Sequence, residues 1–126
     1  MLLNCLAVGA GGFIGSVLRY LVSLIPFLNR SDIPLQTLAV NLIGAVLIGM
    51  LVRSSDSCQW LGGHTMLLLK VGVCGGFTTF STFSLESLGL IESGKWTAFA
   101  IYAAASLVLC IAGVFLGKWI AGAVQG

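Results

Sequence analysis

Four apolar stretches, about residues 2–25, 35–52, 65–91 and 96–120, occupy most of this 126-residue chain, and each is long enough to cross the hydrocarbon core of a bilayer. Backbone embedded in lipid has to satisfy its own polar groups, so such stretches close as helices. The connections are short and polar: Asn29-Arg30-Ser31-Asp32-Ile33-Pro34, then Ser54 through Gly63, then Glu92-Ser93-Gly94-Lys95. They leave no room for a separate soluble domain. The expected fold class is an all-α integral membrane protein, one four-helix transmembrane domain over residues 1–126.

Composition excludes several classes of function. Hydrophobic residues make up 58% of the chain and charged residues 8%, against roughly 25% charged in a soluble domain. A formal net charge of +2, dispersed along the chain, is no footprint for nucleic acid. Met1-Leu2-Leu3-Asn4 lacks a basic n-region and the apolar run behind it is too long for a signal peptide, so the first span is expected to stay in the membrane. Cys5, Cys74 and Cys110 lie in apolar stretches and Cys58 in a connection, without Cys-x-x-Cys spacing; neither a disulfide framework nor a zinc site is indicated. His64 has no carboxylate or second His at ligand spacing and reads as interfacial, as does Trp60. With no nucleophile and base paired in sequence, an enzyme is the least expected class.

Charge placement says more than charge number. If the spans alternate in direction, Arg53, Lys70 and Lys118 lie towards one side and Arg19, Arg30 and Lys95 towards the other. Orientation normally follows an excess of Lys and Arg on the cytoplasmic side, so an even split predicts dual topology. A chain that inserts both ways is able to pair with its inverted copy as an antiparallel homodimer.

The third span is unusual. Gly72-Val73-Cys74-Gly75-Gly76-Phe77-Thr78-Thr79-Phe80-Ser81-Thr82-Phe83-Ser84-Leu85-Glu86 puts paired glycines, hydroxyls and spaced aromatics into an otherwise apolar helix pattern. A break is expected at Gly75-Gly76, facing inward, because unwound backbone survives at membrane depth only where protein, water or ions cover it. Beyond it, Phe80, Phe83, Ser84 and Ser87 share a helical face, with Thr82 and Glu86 on the next. The positive edge of an aromatic ring suits a small anion, whereas a cation prefers the ring face.

Other polar residues are sparse. Asn41 shares a face with Ala45 and Gly49, and its amide suits either a neutral anion ligand or a bond across helices. Arg19 lies about six residues inside the end of the first span, open to reading as an anion-attracting vestibule or a structural anchor. Tyr102, Ser106 and Cys110 recur every four residues in the fourth span. Glu86 is the acid well inside the spans, as proton carrier, cation ligand or hydrogen-bond acceptor. Lys70 reads as a snorkelling residue.

These motifs resemble the Fluc-type fluoride channels of bacteria and other microbes over nearly the whole chain. The resemblance rests on Gly11-Gly12-Phe13-Ile14-Gly15-Ser16-Val17-Leu18-Arg19-Tyr20, on Thr37-Leu38-Ala39-Val40-Asn41-Leu42-Ile43-Gly44 and, most diagnostically, on Gly72 through Glu86. It implies a multi-pass protein of the inner cell membrane, a dual-topology antiparallel homodimer with two pores that passively exports fluoride and so protects the cell. It further implies a structural Na⁺ on the two-fold axis, held by the backbone carbonyls of Gly75 and Thr78. By the same resemblance Asn41, Phe80 and Phe83 carry the pore, Ser81, Thr82, Ser84, Tyr102 and Ser106 form a hydroxyl track near Glu86, and Arg19 belongs to the vestibule or the scaffold. Gln36 stands where a Gly is expected, and Cys110 where another hydroxyl would continue the track. The rival class is a proton-coupled exporter of the small multidrug resistance type, whose chemistry needs an acid in the first span; this first span has none.

Overall fold

The apolar stretches close into helices joined by tight connections. In the computed structural model, which describes residues 1–125 without the side chain of Trp60, these are α1 (Leu2–Ser23), α2 (Leu35–Ser55), α3 (residues 63–77), α4 (Phe80–Glu92) and α5 (Trp96–Gln125). The interfacial role expected of the Trp60 side chain therefore lies outside the described residues. Taking α3 and α4 together, four helical segments are long and apolar enough to cross a membrane. α2 and α5 run past their apolar cores, to Ser55 and Gln125, because nothing after Val52 or Ile120 stops a helix.

The connections have identifiable causes. Pro26 opens a 3₁₀ turn, Pro26–Asn29, directly after α1. The Ser31 hydroxyl accepts from the Ile33 amide at 2.9 Å and donates to the Ile33 carbonyl at 2.8 Å, shaping the turn into α2. Gly94, at φ +72°, makes the reversal between α4 and α5 that a side chain would strain. An exposed ion pair, Lys95 to Asp32 at 2.5 Å, ties that reversal to the first connection. At the other end Ser57 donates to Gln125 at 3.0 Å. Together these contacts show that α2 and α5 run parallel.

Small residues decide which helices pack. With lipid outside, helix association depends on close backbone approach. A Cβ on Gly72 would lie 2.7 Å from the Gly11 Cα, and one on Gly76 would lie 2.6 Å from the Gly12 carbonyl oxygen, so α1 and α3 touch backbone to backbone. On the other pair, a Cβ on Gly117 would come within 2.9 Å of the Met50 amide nitrogen. The bundle is thus two parallel pairs, α1 with α3 and α2 with α5.

The third span is broken, but not where the glycines suggest. Gly75 is helical at φ −66° and ψ −37°, and Gly76 lies within the helical turn Gly75–Phe77. The break falls at Thr78 (φ −79°, ψ 156°) and Thr79 (φ −151°, ψ 121°), both extended. The physical reason is local: the Thr79 hydroxyl accepts from the Thr82 amide at 3.2 Å, capping α4 and offering the backbone an alternative to continuing α3. Upstream, Leu67–Cys74 is a π-helix, and a short α-helical turn, Gly75–Phe77, returns the chain to the break.

Candidate functional site

The break leaves backbone groups that a side chain must satisfy, and Asn41 supplies them. Its Nδ2 donates to the Thr79 carbonyl at 3.0 Å while its Oδ1 accepts from the Thr79 amide at 2.8 Å. The amide imitates a neighbouring strand. Its orientation is fixed, because a backbone N–H only donates, and one N–H of Nδ2 remains uncommitted. Asn41 reaches this position because Gly44 leaves no side chain between α2 and Thr78; a Cβ there would fall on the Thr78 methyl.

Two carbonyls lose their helical partners in the process. The Thr79 amide, which would return to the Gly75 carbonyl, goes to Asn41, and the Thr82 amide, which would return to Thr78, goes to the Thr79 hydroxyl. The Gly75 Cα faces open space, with nothing within 4 Å of where a Cβ would stand. Neutral oxygens on an open face are a donor set for a hard cation.

Hydroxyls cluster beside the break. Thr79 Oγ1 lies 3.0 Å from Thr82 Oγ1 and 3.3 Å from Ser81 Oγ. Below them Glu86 accepts from the Thr37 hydroxyl at 2.8 Å and from the Tyr102 hydroxyl at 2.6 Å, joining α2, α4 and α5. Of the roles open to Glu86 from sequence, the structure shows the hydrogen-bond acceptor. Tyr102 is 0% exposed, and its hydroxyl is committed to this carboxylate.

The aromatics form a short ladder. Phe80 and Phe83 have ring centroids 5.4 Å apart, and Phe83 and Tyr102 5.0 Å apart, all tilted. Phe80 is 78% exposed, an unusual state for the first residue of a mid-span helix.

Two cavities share Thr79 in their linings. The larger, about 580 Å³, is lined by Asn41, Thr78, Thr79, Phe80, Phe83 and Ser106 near the break and reaches Lys70, Cys110 and Val114. The smaller, about 300 Å³, is lined by Arg19, Ser16, Gln36, Thr37, Thr79 and Thr82. Each cavity therefore contains one basic side chain, and among the described residues neither Arg19 nor Lys70 has an acidic partner. Among the described residues, buried Gln36 Oε1 and Ser106 Oγ have no hydrogen-bond partner, one beside each cavity.

The structure brings together most of the residues singled out from sequence. Asn41, Thr78, Phe80, Phe83, Ser106 and Gly75 line the larger cavity, and Arg19 and Thr82 the smaller. Ser81 is exposed beside Thr79. The Ser84 hydroxyl donates back to the Phe80 carbonyl at 2.9 Å, and Ser84, like Ser81 and Tyr102, lines neither of these two cavities. Thr79, which with Asn41 and Ser81 reads from sequence as a polar residue in need of a path to line, lines both cavities, whereas Thr37, which shares Glu86 with Tyr102, has no role legible from sequence. A threonine just ahead of a helical stretch is an N-cap candidate, and that is the signal available for Thr79. Thr37 had none, since its partner is 49 positions away.

Comparison with known proteins places this arrangement among relatives. The model of the family described as "CrcB-like protein, Camphor Resistance (CrcB)" matches residues 6–118. A protein of Chlorobaculum tepidum named fluoride-specific ion channel FluC is 46% identical, the match covering 94% of this chain and 94% of that protein. Proteins of the same name from Agrobacterium fabrum (45% identical, 92% of this chain, 94% of that protein) and Ruminiclostridium cellulolyticum (42%, 95% and 93%) are similar over comparable lengths.

Proposed function

The chain belongs to the CrcB-like family, and from that membership we propose that it is a passive, fluoride-selective ion channel that lets fluoride out of the cell and so relieves its toxicity. It is a multi-pass membrane protein, not an enzyme; the inner cell membrane is its proposed location. The observation that carries the reading is a polar break inside an apolar bundle whose Thr79 lines a cavity on each side.

Fluoride enters the smaller cavity, drawn by Arg19, and exchanges its hydration shell for hydroxyl donors at Ser81 and Thr82. It passes the amide of Asn41, which has one uncommitted N–H, into the larger cavity, and then the ring edges of Phe80 and Phe83 and the unpartnered hydroxyl of Ser106. Selection follows from size: a larger halide does not fit contacts spaced to replace a tightly held shell. Tyr102 and Glu86 hold α2, α4 and α5 at the right separation through the bonds they share.

The working unit is an antiparallel homodimer of dual topology with two pores. The even division of six basic residues supports it, as does the exposure of Phe80 and of the open Gly75 face in a single chain. The carbonyls of Gly75 and Thr78 that the break has freed would hold a Na⁺ ion between the copies. Such an ion supplies fixed positive charge that binds two inverted chains together. Replacing all Na⁺ by N-methylglucamine is expected to weaken the dimer and slow fluoride efflux, with recovery on adding Na⁺ back. A dimer and a flux indifferent to exhaustive Na⁺ removal would reject the ion.

The proton-coupled exporter is not favoured, since α1 has no acid and both oxygens of Glu86 are occupied by hydroxyls. The deciding test is efflux from liposomes carrying the purified protein, fluoride against chloride at equal gradients without a pH gradient. Fast fluoride efflux with chloride near the leak of empty liposomes is expected; no fluoride efflux from an intact dimer would sink the channel.

A further inference from the structure

We propose that Lys70 is an anion-attracting station at the far mouth of the pathway, the counterpart of Arg19 at the other mouth. The inference rests on the channel reading above and extends it to a residue with no assigned role. Lys70 lies seven positions after the start of α3, roughly 10 Å along the helix. An ammonium group at that depth is costly in lipid and is found where it meets a cavity, a partner or the headgroups.

Here it meets a cavity. Lys70 is exposed, has no acidic partner among the described residues, and lines the same space as Asn41, Phe80 and Ser106. The far part of that space is poor in donors. Beyond Ser106 the α5 wall presents Cys110 and Val114, and α2 presents Ile48. An anion leaving the Ser106 hydroxyl would cross this stretch without a hydroxyl, and Lys70 is the charged side chain on its wall. A fixed positive charge in a cleft with low-dielectric walls raises the local concentration of a small anion. The ligand class is a small, hard monovalent anion, and fluoride is the one the channel passes.

Snorkelling is the competing account, and ionic strength separates the two. Fluoride efflux is measured for the wild type, Lys70→Met and Lys70→Arg in liposomes at one fluoride gradient, with potassium gluconate low and then high on both sides. The Debye length shrinks from about 30 Å at 0.01 M to about 8 Å at 0.15 M, so steering by one charge fades. Lys70→Met is expected to lose roughly threefold or more of the wild-type flux at low salt, with the deficit closing at high salt. Lys70→Arg is expected to track the wild type throughout. Equal flux in Lys70→Met and wild type at low salt, or a deficit identical at both salts, would overturn the proposal. Should Lys70→Met fail to give a folded protein, Lys70→Gln is read against the same criteria. Wild-type protein that passes no fluoride would instead remove the channel reading itself.

Discussion

Asn41→Asp is expected to lower fluoride efflux by on the order of a hundredfold. The substitution is nearly isosteric, so its effect is electronic. Where Nδ2 donates to the Thr79 carbonyl at 3.0 Å, the variant sets one oxygen against another. It also removes the spare N–H offered to the anion and puts a negative charge between the cavities. Leaving a charge buried and unpaired costs about 3–5 kcal/mol, and about 1.4 kcal/mol is already tenfold in a rate. Efflux and gel filtration are measured on the same preparation. A folded Asn41→Asp protein with wild-type flux would show that Asn41 only closes the break.

The second large effect concerns stability. Gly76→Ala is expected to destabilise the protein by about 3 kcal/mol, because overpacking against backbone cannot be relieved by a rotamer change. The added methyl would lie 2.6 Å from the Gly12 carbonyl oxygen and 3.0 Å from its Cα. Gly12→Ala is the matched control: its own Cβ meets nothing within 4 Å, so it is expected to be neutral or slightly stabilising. Thermal unfolding in detergent distinguishes them, with a lower midpoint for Gly76→Ala alone. Equal midpoints would mean that α1 and α3 do not touch through this seam.

The same two residues show what the sequence made legible. Span number followed from hydrophobicity, since lipid admits few other solutions for apolar runs of this length. Gly75-Gly76 reads as the break because glycine weakens helices in general. The structure uses Gly76 for close approach to α1, and the unwinding comes from Thr79, whose hydroxyl caps the next helix. Composition marks where a helix is weak; it does not say which neighbour needs the space. Asn41 was identified as important, yet its bond to a backbone 38 positions away had no trace in local pattern. Glu86 is similar, because its role depends on Thr37 and Tyr102 arriving from two other helices. Arg19 and Lys70 were each visible as a charge out of place, but that they lie in cavities sharing one threonine is a fact of tertiary arrangement.

The pairing of α1 with α3 and of α2 with α5 also bears on how the chain is made. Synthesis delivers α1 and α2 first, but the glycine seams described above join neither of them to the other. The close backbone contacts of α1 therefore form once α3 has been inserted, and those of α2 once α5 has been. Helices stable as individual spans tolerate that delay. A chain cut short before α5 would leave the α2 seam without its partner, so the α2 half of the bundle depends on α5.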